Sequence, residues 1–485
     1  MDTDVIVVGA GPVGLMLAGE LRLGGARVVV LERLTEATTE SRASTLHART
    51  MEIFDQRALL DRLGTPPPSQ NGGHFGGIPL DFGGLPTRYP GQWKVLQTRV
   101  EELLAAWATE LGADIRRGHD VCGLELGDDR IRLHAGSPTG TVELTGRYLV
   151  GCDGEHSTVR GLAGVDFPGV EATHELLRAD VVGIDVPDRR FERLPNGLAI
   201  SSRRPDGVTR VMVSTFDRPV GQRVEPPSWE EITKVWELVT GEDIRHGTPI
   251  WRNAFDNTSR LVSRYLDGRV LLAGDAAHCQ MPSGGQAINL GIQDAANLGW
   301  KLAAVATGRA PARLLDTYHD ERHEVGRRVL SNIEAQGLLL LGGPEVDSTR
   351  AVLAELIRYP VVRDRLAAMI SGIDVRYGDD PHPLVGTRMP HIELDTEDGP
   401  TSTTELLRTG HGVLLDTAAC AGRHDWLRGA TAGWVDLVAA APPSEGPLAG
   451  LETVLLRPDG YVAWVGDRYS DPRWQISRWF GRDPQ

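Results

Sequence analysis

The chain has 485 residues, 41% of them hydrophobic and 24% charged, with 57 glycines and 30 prolines spread along it rather than gathered in tracts. That length points to two or three globular domains, and the composition excludes a collagenous, coiled-coil or disordered protein. Lysine and arginine number 51 against 66 acidic residues, and the resulting net charge of −15 disfavours nucleic acid and anionic membranes as partners.

Asp2 to Asp4 runs directly into Val5-Ile6-Val7-Val8, without the basic and apolar pattern of a signal peptide. Val5 to Val8 is a β-branched run, expected to form a strand buried on both faces. Gly9-Ala10-Gly11-Pro12-Val13-Gly14 breaks it; Leu15 to Leu23 has helical composition, ended by Gly24-Gly25. Val28 to Leu31 is a second strand closed by Glu32-Arg33, so the first 35 residues make one βαβ unit and imply a parallel sheet. From 66 to 94 the chain is dense in glycine and proline, with Ile78, Leu80 and Phe82 alternating. This reads as loops and antiparallel strands leaving the parallel core.

A helix is expected over Gln97–Leu111, a strand near Val121, and a buried strand at Tyr148–Gly151 before the turn at Cys152-Asp153-Gly154. Residues 176–265 read as antiparallel strands around a helix near Trp229–Val239. Arg269–Asp275 returns to the buried parallel type, and helices are expected over Ile292–Thr307 and Leu314–Leu341. The last hundred or so residues carry strands at Gly412–Asp416 and Glu452–Leu456 and read as a separate small α/β domain. No apolar run reaches the ~18 residues that cross a bilayer. Cys122, Cys152, Cys279 and Cys420 have no paired spacing, which argues against disulfides or zinc and points to a reducing cytoplasm.

Two constellations carry chemistry. In Gly9-x-Gly11-x-x-Gly14 the glycines permit a tight turn and close approach of backbone amides to a pyrophosphate seated on a helix N-terminus. Glu32 then suits a ribose diol and would repel the extra phosphate of NADP, even with Arg33 adjacent; NAD and FAD remain. The second constellation decides for FAD. It is the strand ending in Gly274-Asp275, followed by Pro282-Ser283-Gly284-Gly285-Gln286-Ala287-Ile288-Asn289 and a helix. A nicotinamide fold needs no second glycine-rich helix start. In a flavin site Asp275 suits ribityl hydroxyls, and a helix dipole starting near Asn289 faces the pyrimidine end and stabilises negative charge on the reduced ring.

These segments, with Cys152-Asp153-Gly154-Glu155-His156-Ser157-Thr158-Val159-Arg160, resemble the single-component (class A) FAD-dependent aromatic hydroxylases. The resemblance runs on through Arg42, Ala48-Arg49-Thr50-Met51-Glu52, Gln97 and Leu315-Asp316-x-Tyr318-x-x-Glu321-Arg322, and covers essentially the whole chain. It is closest to actinobacterial hydroxylases of aromatic polyketides, especially the angucycline type. The implied fold is α/β. A Rossmann-like FAD-binding domain is built from 1–175 (with pocket strands near 70–95) and 266–385, an antiparallel-sheet substrate domain is inserted at 176–265, and a thioredoxin-like α/β domain spans 386–485.

By the same resemblance FAD is held by Gly9, Gly11, Pro12, Val13, Gly14, Glu32, Arg33, Arg42, Gln97, Val121, Asp153, Gly274, Asp275, Pro282, Gly284, Gly285, Gln286, Ala287, Ile288 and Asn289. NADPH or NADH and O2 are the implied co-substrates, and one oxygen passes from a flavin C4a-hydroperoxide to a polycyclic aromatic polyketide in antibiotic biosynthesis. No metal and no obligatory protein nucleophile is implied, which agrees with Ser283 lacking a neighbouring base. His74-Phe75-Gly76-Gly77 and Pro249-Ile250-Trp251 resemble pocket-lining segments, placing His74, Phe75 and Trp251 at the substrate; ordinary packing is the competing reading. Baeyer–Villiger oxygenation, inactivation of a rifamycin-type drug, and a non-catalytic FAD-binding partner stay open, as does the oligomeric state, a homodimer included. Two departures stand out. Ala287 replaces the family's usual glycine, and Cys420 has no C-x-x-C partner, so redox exchange in the last domain is not expected.

Overall fold

The computed structural model describes all residues except 40–42, 65–68, 219, 221, 222, 224, 419–426, 429–432 and 482–485. Arg42 and Cys420 therefore lie outside the described residues. The helices, in chain order, are α1 (Pro12–Leu23), α2 (Ala48–Asp55), α3 (Gln97–Glu110), α4 (Thr158–Ala163), α5 (Trp229–Thr240), α6 (Gln286–Ala306), α7 (Asp316–Leu341), α8 (Asp347–Leu356), α9 (Pro360–Ser371) and α10 (Arg473–Phe480).

The first sheet explains the uninterrupted β-branched run Val5–Val8. Val5–Val8 is wholly buried between two parallel neighbours, Val28–Glu32 and Tyr148–Gly151, so neither face can carry a polar residue. Asp114–Arg117 extends the sheet on one side; on the other Val270–Leu272 adds in parallel and Leu266–Asp267 closes the edge antiparallel. Helix α1 covers this sheet and is itself wedged between α3 and α6. Small residues allow that closeness. A Cβ at Gly19 would overlap the Trp107 ring of α3, and one at Gly299 of α6 would overlap the Glu20 side chain.

The second sheet has five antiparallel strands, ordered Arg189–Leu194, Gly197–Arg203, Thr209–Thr215, Glu175–Val182, Thr248–Asp256. Apolar residues pack on both faces. Leu177, Ala179, Val211 and Val213 pack under Trp236 of α5, while Leu176, Leu198, Ile200 and Met212 pack towards Ile333, Leu340 and Leu341 of α7. The edge strand carries a bulge between Arg189 and Glu192, where Phe191 adopts a left-handed φ of 50°. A non-glycine residue pays such a conformation back only where its surroundings hold it, and such residues gather at functional sites.

The C-terminal domain has a four-stranded sheet ordered Val435–Ala439, Gly412–Asp416, Thr453–Leu456, Val462–Gly466. The first pair is parallel and the other two are antiparallel, with α10 following: the thioredoxin-like arrangement. Two helices differ from the sequence reading. The helix expected from Ile292 begins at Gln286, six residues earlier, because Gly285 takes a left-handed N-cap position and Asn289 is tied down inside the first turns. The helix expected from Leu314 is divided into a 3-10 turn at Ala312–Leu315 and α7 proper. Among the described residues, no helix is long and apolar enough to cross a membrane, and no group of three or more His, Cys, Asp or Glu residues is placed to hold a metal ion.

Candidate active site

The first corner of the site is the glycine-rich turn before α1. Gly9 has a φ of +102°, and a Cβ there would overlap the Cys152 carbonyl; a Cβ on Gly14 would overlap the Gly9 carbonyl. These two glycines are demanded by the protein's own backbone. Gly11 is different: a Cβ on it would meet nothing within 4 Å. Gly11 is also the N-cap of α1 and offers no side-chain bond to the free amides of the first turn, where Pro12 removes one donor at no loss. The result is an open cradle at the positive end of a helix. Glu32 is pinned at its edge, Oε2 accepting from the Ala10 amide at 2.8 Å and Oε1 from the Leu34 amide at 2.9 Å. Arg33 beside it is exposed.

The second corner is the Gly274–Asp275 turn. A Cβ on Gly274, at φ +63°, would come within 2.9 Å of Val13, so the turn is seated directly on α1. The Gly274 amide donates to Asp294 Oδ2 at 3.2 Å, and the same carboxylate accepts from His278 Nε2 at 2.8 Å and from Arg322 Nε at 2.7 Å. Burial pushes the Asp294 pKa up, but the Arg322 charge and the His278 bond outweigh it, and the carboxyl stays below the usual range. Asp275 itself is exposed at the tip. Asp153 accepts from Ser157 Oγ at 2.5 Å and from the Val159 amide at 3.0 Å, which fixes the start of α4; Arg160 of that helix donates to the Ala276 carbonyl at 2.9 Å. The Asp153 segment and the Gly274–Asp275 turn are thereby linked.

The third corner is the N-terminus of α6, which also lacks a side-chain cap. Gly284 and Gly285 both have left-handed backbones, and a Cβ on Gly285 would stand 3.0 Å from Thr45. The Asn289 side chain is fully used by the protein. Its Nδ2 donates to the Thr45 and Gly285 carbonyls (3.0 and 2.7 Å), and its Oδ1 accepts from the His47 amide and Thr50 Oγ1 (2.8 and 2.7 Å). It acts as a clamp between α6 and the segment leading into α2. Asn289→Ala should leave two donors and two carbonyls unpaired and speed FAD dissociation by about tenfold or more, as read by stopped-flow flavin fluorescence. Gln286 is buried and, with Gln293, lines a separate crevice between α6, α7 and α9; Ala287 is partly exposed, Ile288 buried and Pro282 exposed.

His47 completes this corner. Its Nε2–H donates to the Gly284 carbonyl at 2.7 Å, which leaves Nδ1 buried with no partner. Burial lowers its pKa to about 4. A histidine whose folded value lies below the unfolded one, 6.5, loses stability as pH falls: the unfolded chain takes the proton first. His47 should therefore remove ~3 kcal/mol of stability between pH 7 and 4. Melting temperatures across that range should fall less steeply in His47→Gln, which keeps a donor for Gly284.

The remaining predicted residues fall in several places. Gln97 Oε1 accepts from the Ala43 amide at 3.1 Å and its Nε2 donates to Glu101, next to the undescribed Arg42. Val121 is buried in the strand Asp120–Leu126, opposite Ala135. The His74 ring lies against Phe191, centroids 3.8 Å apart, and its Nδ1 accepts from the Gly77 amide at 3.2 Å; burial lowers its pKa to about 3. Phe75 is packed with Ile78, Leu80, Leu339 and Ile370 in the cluster under α9. Trp251 stacks beneath the guanidinium of Arg178, 4.8 Å from its ring centre, and beneath Arg210 rather than beside His74. Sequence reasoning missed Thr45, His47, Lys94 and Asp294, for single polar residues carry no spacing signal until the fold brings them together.

Residues 2–333 match the FAD binding domain family, and residues 382–483 match the aromatic-ring hydroxylase C-terminal family. The chain is 42% identical to the 12-dehydrotetracycline 5-monooxygenase/anhydrotetracycline 6-monooxygenase of Streptomyces rimosus, over 99% of each chain. It is 37% identical to the dialkyldecalin synthase of Streptomyces rugosporus, again over 99% of each. The structure of CabE, an aromatic hydroxylase from angucycline biosynthesis, superposes with a TM-score of 0.94 at 50% identity, covering 99% of each chain.

Proposed function

The chain belongs to the FAD-binding aromatic-ring hydroxylase family, and from that premise we propose that it hydroxylates a polycyclic aromatic polyketide between α6 and the inserted sheet. It is an FAD-dependent aromatic monooxygenase that uses NAD(P)H and O2. The three corners fit FAD. The open cradle at Gly11 suits the pyrophosphate, Glu32 the adenosine ribose, the exposed Asp275 the ribityl chain, and the uncapped start of α6 the electron-accepting edge of the ring. When bound, FAD would carry two electrons from NAD(P)H to O2, so that one oxygen atom of O2 enters the substrate and the other leaves as water.

The protein's own part is placement. Asp294, held by Arg322 and His278, fixes the Gly274 turn; Asn289 and His47 fix the Gly284–Gly285 loop. Leu198, Ile200 and Met212 of the inserted sheet pack with Met281, just before that loop, and with Leu340 and Leu341 of α7, and keep water out of that seam. The observation that carries the reading is the convergence of three distant segments on one cradle whose central glycine faces open space. The test is NADPH or NADH consumption by FAD-loaded protein with a panel of angucyclinone-type phenols, with mass spectrometry of the products. The expected result is oxidation stimulated several-fold by at least one phenol, and a product heavier by one oxygen. A protein that retains FAD but shows no phenol-stimulated oxidation, including in Ala287→Gly, overturns the proposal. A synthase among its relatives makes that outcome concrete.

A further inference from the structure

The loop before α6 and the hairpin that carries His74 and Phe75 meet at one side chain of α7. The hairpin pairs Gly72–Phe75 with Ile78–Asp81, and its turn is seated closely on α7. A Cβ on Gly76, at φ +55°, would stand 2.7 Å from Leu339 Cβ, and one on Gly77 would stand 3.0 Å from Leu340. The Gly76 amide donates to Gln336 Oε1 at 3.3 Å, and Ser283 Oγ, in the loop before α6, donates to the same oxygen at 3.1 Å. Gln336 Nε2 donates to Asn332 Oδ1, one turn earlier on α7, at 2.7 Å. Gln336 is 0% exposed and Ser283 1%.

The hydrogen-bond chemistry fixes the orientation of this amide. A backbone N–H can only donate, so the atom facing Gly76 is the carbonyl oxygen and the amide nitrogen faces Asn332. A carbonyl oxygen has two lone pairs, and here one serves the hairpin and the other the flavin loop. Gly284 is close as well: a Cβ on it would lie 3.8 Å from Gln336 Oε1. Because the shared oxygen is buried, displacing either segment leaves a donor on that side unpaired, with the cost of a buried polar group. Arg350 of α8 holds the same turn separately, donating to the Gly76 and Leu339 carbonyls at 2.5 and 2.6 Å. The hairpin therefore has a seat on α7 that does not pass through Gln336, whereas the bond to Ser283 does.

We propose that Gln336 is a positioning residue that sets the flavin loop and the pocket hairpin at one spacing. FAD bound at the start of α6 then orders the Gly76 turn through Ser283 and Gln336, and the hairpin holds the substrate ring at a fixed distance from the flavin edge. The inference rests on the hydroxylase reading above and deepens it. Without the bridge the two electrons of NAD(P)H still reach O2, but more of them leave as H2O2 and fewer as hydroxylated product and water.

The test is hydrogen exchange by mass spectrometry on the full chain, with and without FAD, following the peptides 72–81 and 282–288. In wild type FAD should slow exchange in both, the hairpin by about fivefold. In Ser283→Ala and Gln336→Leu the loop peptide should still be slowed by FAD while the change in the hairpin is lost. Ser283→Ala removes a single atom from the link and decides the matter alone where Gln336→Leu does not fold. Gln336→Glu, kept neutral by burial, offers the same oxygen to both segments and its O–H to Asn332, and should restore the hairpin response. With a stimulating phenol, Ser283→Ala should divert to H2O2 about three times the share of NAD(P)H electrons that wild type does. A hairpin that FAD does not slow in wild type, or slows equally in Ser283→Ala, overturns the inference, as does an equal H2O2 share in the two proteins. None of these results touches the hydroxylase reading while phenols still stimulate oxidation. A panel in which no phenol does so, with the exchange pattern as expected, defeats that reading and leaves the link through Gln336 standing.

Discussion

Gly11→Val should yield a protein that folds like its parent and purifies without FAD. The backbone at Gly11 has φ −75° and ψ −179°, an extended conformation that valine adopts without strain, and a Cβ there meets no protein atom within 4 Å. Neither the backbone conformation nor the space around the new Cβ therefore opposes the substitution in the apoprotein. What the new side chain fills is the cradle in front of the free amides of α1, so the loss falls on the dinucleotide alone. We expect an FAD affinity at least a hundredfold weaker, ~3 kcal/mol, with an apoprotein melting temperature close to that of wild-type apoprotein. Gly14→Ala is the contrast, because its Cβ would overlap the Gly9 carbonyl and the turn itself must shift. That variant should lose stability and FAD together. A yellow Gly11→Val protein with unchanged FAD affinity would show that the cradle holds no pyrophosphate.

The same distinction explains what could be read from the sequence. The βαβ unit was legible because its constraints are local: four buried residues in a row, a turn that only glycine can make, and an acidic residue at the next strand's end. The five-stranded sheet was legible from alternation, although both of its faces proved to be buried, one under α5 and one towards α7. The start of α6 was legible as a glycine-rich helix start, but the sequence sets it near Asn289 or Ile292 rather than at Gln286. Asn289 looks like a loop residue, and its helical placement depends on partners 239 to 244 positions away, Thr45, His47 and Thr50. Arg49 likewise carries no local sign of its place. It is buried, pairs with Glu52 at 3.1 Å and donates to the Asp459 carbonyl at 2.6 Å, so it joins α2 to the last domain. The Tyr318-x-x-Glu321-Arg322 motif was visible as a pattern but not as a mechanism. Its three side chains reach the Leu272 carbonyl, Arg457 and Asp294 respectively, and so tie α7 to the parallel sheet, to the C-terminal domain and, through Asp294 of α6, to the Gly274 amide.

Arg457→Met should be the most destabilising single change in that last connection. Arg457 lies in the turn after the strand Thr453–Leu456, is 2% exposed, and donates to both oxygens of Glu321 on α7 (2.6 and 2.9 Å) and to Asp459 at 3.0 and 2.5 Å. Lys301 of α6 adds a bond to Glu321 at 2.8 Å. Burial would raise the Glu321 pKa, yet the Arg457 and Lys301 charges overcome it and hold the carboxyl at about 2. Removing the guanidinium leaves two buried carboxylates facing one remaining ammonium, which costs ~3–5 kcal/mol. The seam between α7 and the C-terminal domain should open, and limited proteolysis should cut there while wild type resists. The pH dependence has a definite sign. A carboxylate whose folded pKa is depressed stabilises the fold above its unfolded value, 4.5, and that contribution disappears as pH falls towards 2. The gap in melting temperature between wild type and Arg457→Met should therefore be widest near neutrality and close on acidification below 4.5. Arg457→Met with Glu321→Gln should recover part of the loss, because the charge left behind, more than the missing bond, is what destabilises the single variant. Equal melting temperatures for wild type and Arg457→Met at pH 7 would show that the last domain is held by its apolar contacts alone.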